Sequence, residues 1–236
     1  MDDWQSDIEL WFSENQYEQL EQFYSLLIEW NQKMNLTSLT ERQDVFIKHF
    51  LDSVQICNLP EWKKIQDTRG TVVDIGTGAG FPGIPLAIRH PEIKFTLCDA
   101  LAKRISFLQT VIEKLGLENV ELIHSRAEDL AQNPNYRYQF QGCVSRAVAR
   151  LNILLEFMCP LVQVGGTSFA YKGPLVTDEF PDGVRAASLL GGKIQGTAHM
   201  ELPNGAGERT VILVKQIKEA PKKYPRRAGI PQKKPL

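Results

Sequence analysis

Asp74-Ile75-Gly76-Thr77-Gly78-Ala79-Gly80-Phe81-Pro82-Gly83 ends a short apolar run, Thr71-Val72-Val73, with an acid and then places glycine at every second position. Glycines at such points permit a tight turn and let the backbone lie against a ligand with no Cβ between them. Gly78 to Gly83 formally fits the dinucleotide fingerprint G-x-G-x-x-G, which is a weak match by itself. The phase argues for a different ligand. In a dinucleotide fold the strand enters the first glycine directly and a diphosphate rests on the helix N-terminus. Here Asp74 precedes Gly76, Gly78 and Gly80, and a carboxylate at that point repels a diphosphate. It can instead hold the α-ammonium of a methionine moiety, directly or through water. S-adenosylmethionine is cationic at sulfur and at nitrogen, so Coulomb attraction favours it. Asp99 ends the next apolar run, about 23 residues beyond Gly76, where an acid accepts ribose hydroxyls. NAD enzymes share that feature, so Asp99 supports a nucleoside without choosing the cofactor. Ala127-Glu128 follows a third run, at the edge where adenine would lie by analogy of position; Glu128 also reads as the cap of a surface helix.

Methyl transfer from a sulfonium is an in-line displacement, in which an enzyme mainly supplies proximity and orientation. The fourth apolar run ends in Gly142-Cys143-Val144-Ser145-Arg146-Ala147, with neither an Asn/Asp-Pro-Pro-Tyr stretch for an exocyclic amine nor a Pro-Cys nucleophile. A nucleophile with a free lone pair needs neither device, and guanine N7 is one. Arg146 can face the O6/N7 edge of guanine, the cofactor or a phosphate, or be tied up in an ion pair with Glu128 or Asp129. Arg146 and Lys172, in Tyr171-Lys172-Gly173, are the candidate catalytic residues. Lys103 and Arg104 extend a basic rim or a plain solvated face. His49, with Asp52 and Ser53 a turn later, reads as a buried hydrogen-bonding residue before it reads as a catalytic one.

The elements that must carry these residues follow from periodicity. Residues 4–58 are helical in pattern, broken at Asn35-Leu36-Thr37-Ser38-Leu39-Thr40, with Thr40 as the next N-cap and Pro60 marking a short link. From residue 70, apolar runs near 71–75, 94–98, 120–124 and 142–146 alternate with helical stretches near 83–90, 101–116 and 149–160. Such alternation predicts a parallel, doubly wound sheet with right-handed crossovers. Further strands near 166–171, 193–201 and 208–216 end the sheet in an antiparallel hairpin. The expected fold is α/β: a Rossmann-like class I methyltransferase with a seven-stranded, mostly parallel sheet. The expected division is a helical extension at 1–67, a cofactor-binding core at 68–218 and a basic tail at 219–236.

The 236 residues suit one α/β domain with an appended element. Cys57, Cys98, Cys143 and Cys159 lack metal-ligand spacing, so no metal is expected, and they read as reduced thiols. No run is long enough to span a bilayer and the first residues lack a basic signal region, which predicts a cytoplasmic protein with no membrane partner. The net charge of −1 conceals an acidic start and a tail in which Lys222, Lys223, Arg226, Arg227, Lys233 and Lys234 occur with no acid. That tail reads as a flexible phosphate-binding arm or as a solvated terminus.

These residues resemble one family, the bacterial 16S rRNA guanine-N7 methyltransferases called RsmG or GidB. The likeness covers nearly the whole chain. It rests on Asn35-Leu36-Thr37, His49-Phe50-Leu51-Asp52-Ser53, the glycine loop through Ile88, Lys103-Arg104, Ser145-Arg146-Ala147 and Tyr171-Lys172-Gly173. The ending from Tyr224 to Pro231 resembles a subset with a basic extension. The resemblance implies methylation of a guanine N7 in 16S rRNA or a small ribosomal subunit particle, by a monomer. It also implies cofactor contacts at Gly76, Phe81, Ala127, Glu128 and Arg146. Two other readings are a methyltransferase of another RNA or a small molecule, and a non-catalytic NAD- or nucleotide-binding module.

Overall fold

A computed structural model describes residues 3–173 and 178–236. The N-terminal part forms α1 (Asp3–Glu9), α2 (Glu14–Met34), α3 (Arg42–Val45), a π-helical turn (Phe46–Leu51), α4 (Asp52–Val54), a 3-10 turn (Gln55–Asn58) and α5 (Pro60–Asp67). The chain then runs β1 (Thr71–Ile75), α6 (Gly83–Arg89), β2 (Lys94–Asp99), α7 (Ala102–Leu115), β3 (Val120–His124) and α8 (Ala127–Gln132). It continues through β4 (Phe140–Arg146), α9 (Leu151–Met158), β5 (Val162–Lys172), α10 (Phe180–Leu189), β6 (Gly192–Glu201) and β7 (Glu208–Gln216), and ends with α11 (Ile230–Lys233).

The seven strands lie in the order β3-β2-β1-β4-β5-β7-β6, with β1 to β5 parallel and β7 antiparallel to both its neighbours. This is the expected α/β sheet with its terminal hairpin. The order changes direction between β1 and β4, and the carboxyl ends of strands at such a switch point open a crevice for ligands. Asp74, Asp99 and Arg146 all sit at that edge.

Alternate side chains of β1 enter two apolar layers: Val72 packs with the N-terminal helices, α6 and α7, Val73 with α8, α9 and α10. The first layer is continuous from Trp4, Ile8 and Phe12 through Phe23, Phe46 and Phe50 to Phe81 and Phe107. The helical extension therefore shares its core with the sheet. Gln16 fastens α2 by accepting the Ser13 N–H at 3.0 Å and donating to Ile88 O at 2.8 Å.

Three local expectations are corrected. Glu41, in extended conformation, precedes α3 where Thr40 was expected, and Thr40 instead gives its carbonyl to the Tyr24 hydroxyl. Pro60 opens α5 rather than a link, because a proline needs no N–H in a first helical turn. The basic tail is no free arm. Buried Glu156 accepts the Arg226 N–H at 2.8 Å and its guanidinium at 2.8 and 2.6 Å. Gln132 and Arg137 donate to the carbonyls of Pro225 and Tyr224, and Asn152 to that of Leu236. Lys222, Lys223, Arg227, Lys233 and Lys234 stay exposed on the outer side of this strap. No helix among the described residues is long and apolar enough to cross a membrane.

Candidate active site

Three consecutive alternate glycines turn the chain after β1 through left-handed backbone, with φ of +66° at Gly76, +62° at Gly78 and +94° at Gly80. A Cβ at Gly78 would touch only the Gly76 carbonyl, at 3.9 Å, whereas one at Gly80 would strike Ile84 and Leu108. Gly78 thus leaves room beside the loop and Gly80 seats the loop on α6 and α7. Gly76 lies under Val148 of the β4–α9 loop, which was not anticipated from the sequence.

Asp74 lies beneath this loop, fully buried. Its Oδ2 accepts the Thr77 hydroxyl at 2.7 Å and the Gly83 N–H at 2.9 Å, so the carboxylate ties the two ends of the loop together. Among the described residues no hydrogen-bond donor reaches its buried Oδ1. Burial pushes the carboxyl up to about 7 against the opposing pull of Thr77 and Gly83. A buried acceptor short of a donor, next to an open glycine cradle, fits a ligand that brings a positive group.

Asp99 holds the neighbouring turn: Oδ2 accepts the Gly78 N–H at 2.9 Å and Arg104 at 3.2 Å, and Oδ1 the Leu101 N–H at 2.9 Å. Arg104, read as rim or solvent face, is here a partner of Asp99. Ala127 and Glu128 begin α8, and Ser125 just before them donates its N–H to Asp99 O at 3.1 Å. Glu128 is buried, its Oε1 accepting the Gly229 N–H at 3.1 Å. It is not a solvated cap.

Arg146 is mostly buried at the end of β4, and its partners come from the N-terminal extension. Nη1 donates to Asp52 Oδ2 at 2.8 Å, and Nη2 to His49 Nδ1 at 3.2 Å. The guanidinium also lies over the Phe81 ring, 5.1 Å from its centroid. The ion pair envisaged with Glu128 or Asp129 is made with Asp52 instead. His49 stacks on Phe81 with centroids 4.4 Å apart. Since its Nδ1 accepts from Arg146, its Nε2–H donates to Thr37 Oγ1, 2.8 Å away. Burial, then the Arg146 charge, pulls its pKa down to about 3, so the ring is neutral near pH 7. Arg209 of β7, which no sequence signal singled out, brings a second guanidinium 3.3 Å from Asp52 Oδ1.

Lys172 points across the same edge but is engaged, donating to Ala149 O at 2.7 Å and to Glu179 at 3.0 Å. Glu179 also accepts the Leu151 N–H at 2.6 Å, so this pair anchors the loop that covers Gly76. A cleft of about 950 Å³ opens at the opposite, amino edge of the sheet, lined by Thr71, Lys94 and Val120 among others. None of the expected site residues borders it.

Residues 16–205 match the family model for rRNA small subunit methyltransferase G, also called GidB. The chain belongs to this family. It is 48% identical over 224 residues to ribosomal RNA small subunit methyltransferase G of Lactobacillus acidophilus, covering 95% of this chain and 92% of the relative. It is 44% identical over 231 residues to the protein of that name from Clostridium tetani, covering 98% and 95%. Among solved structures it resembles a variant of the 16S rRNA (adenine(1408)-N(1))-methyltransferase from Catenulisporales acidiphilia. That likeness has a TM-score of 0.53 and 16% identity, over 68% of this chain and 92% of the other. It also resembles TYW2 of M. jannaschii in complex with AdoMet, with a TM-score of 0.50 and 16% identity over 70% and 80% of the chains. Both structural likenesses are of fold. This member of the rRNA small subunit methyltransferase G family thus has a Rossmann-like fold.

Proposed function

We propose that this GidB-family chain transfers a methyl group from S-adenosylmethionine to N7 of a guanine in 16S rRNA, as a monomer in the cytoplasm. The observation that carries the reading is the left-handed glycine loop, open at Gly78, set over a buried carboxylate with one undonated oxygen. The loop from Gly76 to Gly80 with Phe81 would cradle the methionine part, Asp74 attracting the ammonium from beneath. Asp99 would take the ribose, and Ala127 with Glu128 the adenine. When bound, the cofactor supplies a methyl group on a sulfonium, which is displaced to a neutral sulfide as a new N–C bond forms.

N7 carries no proton, so the residues around it need not remove one. That suits a crevice whose histidine is neutral and committed as a hydrogen-bond partner. Arg146 would face the O6 edge of the base. Asp52, shared with Arg209, offsets part of the positive charge that would face a base becoming cationic. Lys172, held by Glu179, would fix the β4–α9 loop and reach a phosphate if that pair opens. The exposed lysines and arginine of the strap would add phosphate contacts.

The test compares small-subunit rRNA from cells with and without the gene, quantifying 7-methylguanosine by mass spectrometry. One 7-methylguanosine is expected to vanish; full content in the deletion refutes the assignment. Purified protein assayed on naked 16S rRNA and on small-subunit particles identifies the form methylated.

A further inference from the structure

We infer that the C-terminal strap is part of the cofactor site: the Gly229 N–H positions Glu128 to select adenine. The inference rests on the proposed placement of adenine at Glu128. This carboxylate is only 4% exposed, its Oε1 is held by Gly229 at 3.1 Å, and Oε2 accepts no hydrogen bond from any described residue. An acid fixed by one oxygen and free at the other is an acceptor aimed in one direction. The exocyclic amine of adenine donates to such an acceptor; the 6-oxo group of hypoxanthine cannot.

The strap is built to hold Gly229 in place. Arg226, three residues earlier, is locked onto Glu156 by three hydrogen bonds, and Glu156 is wholly buried. Gly229 itself has φ of +81°, a conformation that favours glycine and turns the chain into α11.

The experiment measures dissociation constants of S-adenosylhomocysteine and S-inosylhomocysteine by calorimetry. The full chain is compared with a chain ending at residue 218, and with that chain plus a synthetic peptide of residues 219–236. Truncation is expected to weaken S-adenosylhomocysteine about tenfold, the size of one hydrogen bond to a charged group. S-inosylhomocysteine should change little, so discrimination collapses, and the peptide should restore it. If the shortened chain does not fold, the full-length double variant Glu156→Leu/Arg226→Met releases the strap without stranding a buried charge and takes its place. Glu128→Ala in the full chain should abolish the same discrimination. Discrimination kept by a folded strap-less or released chain, while Glu128→Ala loses it, overturns the role of the strap. Discrimination kept by Glu128→Ala overturns the placement of adenine itself.

Discussion

Asp74 and His49 are both buried, and burial moves them in opposite directions. The Asp74 carboxyl, raised to about 7, binds a proton in the folded protein that the unfolded chain releases near pH 4. Its contribution to stability therefore declines as pH rises from about 4 to 7 and is constant above. A positive ligand group near Oδ1 favours the ionised form, so binding should expel this proton. Affinity for S-adenosylhomocysteine is expected to rise with pH up to about 7 and then level off. Calorimetry in buffers of different ionisation heat should register proton release, and Asp74→Asn should remove both effects. A flat affinity between about pH 5.5 and 8 would show that the charge of Asp74 plays no part. His49, lowered to about 3, stays neutral while the unfolded chain protonates near 6.5, so stability is lost as pH falls through that window. Urea unfolding of His49→Gln should flatten that acid limb. His49→Leu removes an acceptor from Arg146, and kcat should fall about tenfold with S-adenosylhomocysteine affinity nearly unchanged. An equal loss in both would place His49 in cofactor binding instead.

At the scale of elements, the glycine loop was legible because its phase is encoded in ten adjacent residues. The functions of its glycines separate only in space. Gly78→Val should abolish cofactor binding, since its side chain would fill the open cradle. Gly80→Ala should destabilise the fold by about 1–3 kcal/mol in denaturant unfolding, through overpacking against Ile84 and Leu108. A Gly78→Val protein that still binds would move the cofactor elsewhere. The strands and the helices α6, α7 and α9 follow their periodicity, and Gly116 ends α7 in left-handed conformation as its position suggested. α5 and the π-helical turn escaped notice. A proline reads equally as a helix start or a break, and a π turn leaves no distinct pattern in a run that is apolar on most sides.

The whole molecule joins two parts by one core. Trp4 and Phe46 pack with centroids 5.4 Å apart, and Arg42 lies over both rings while pairing with Glu21. This cluster braces the π turn that presents His49 to the sheet and leads into Asp52 of α4. Trp4→Ala should cost about 3 kcal/mol and lower Tm by roughly 6–12 °C. Methylation should fall with it at temperatures where the chain is still folded. The strap joins the other face, so its basic residues act from a fixed surface. Replacing Lys222, Lys223, Arg227, Lys233 and Lys234 with glutamine should weaken RNA binding and flatten its salt dependence. An unchanged salt slope would assign those charges to solubility.

Sequence alone determined the succession of strands with α6, α7 and α9 between them, the glycine loop, its acid, and the presence of Asp99, Glu128, Arg146 and Lys172 at strand or helix ends. Each of these is written in residues a few positions apart, where backbone sterics and side-chain alternation act. Tertiary structure decided the partners. Arg146 meets Asp52 across 94 positions, and Glu128 meets Gly229 across 101. The tail that composition made a loose arm became a strap because Glu156, buried by its place on α9, accepts three hydrogen bonds from Arg226. Pairings of this kind depend on which chain segments the sheet brings together, and no local pattern of polarity carries that information.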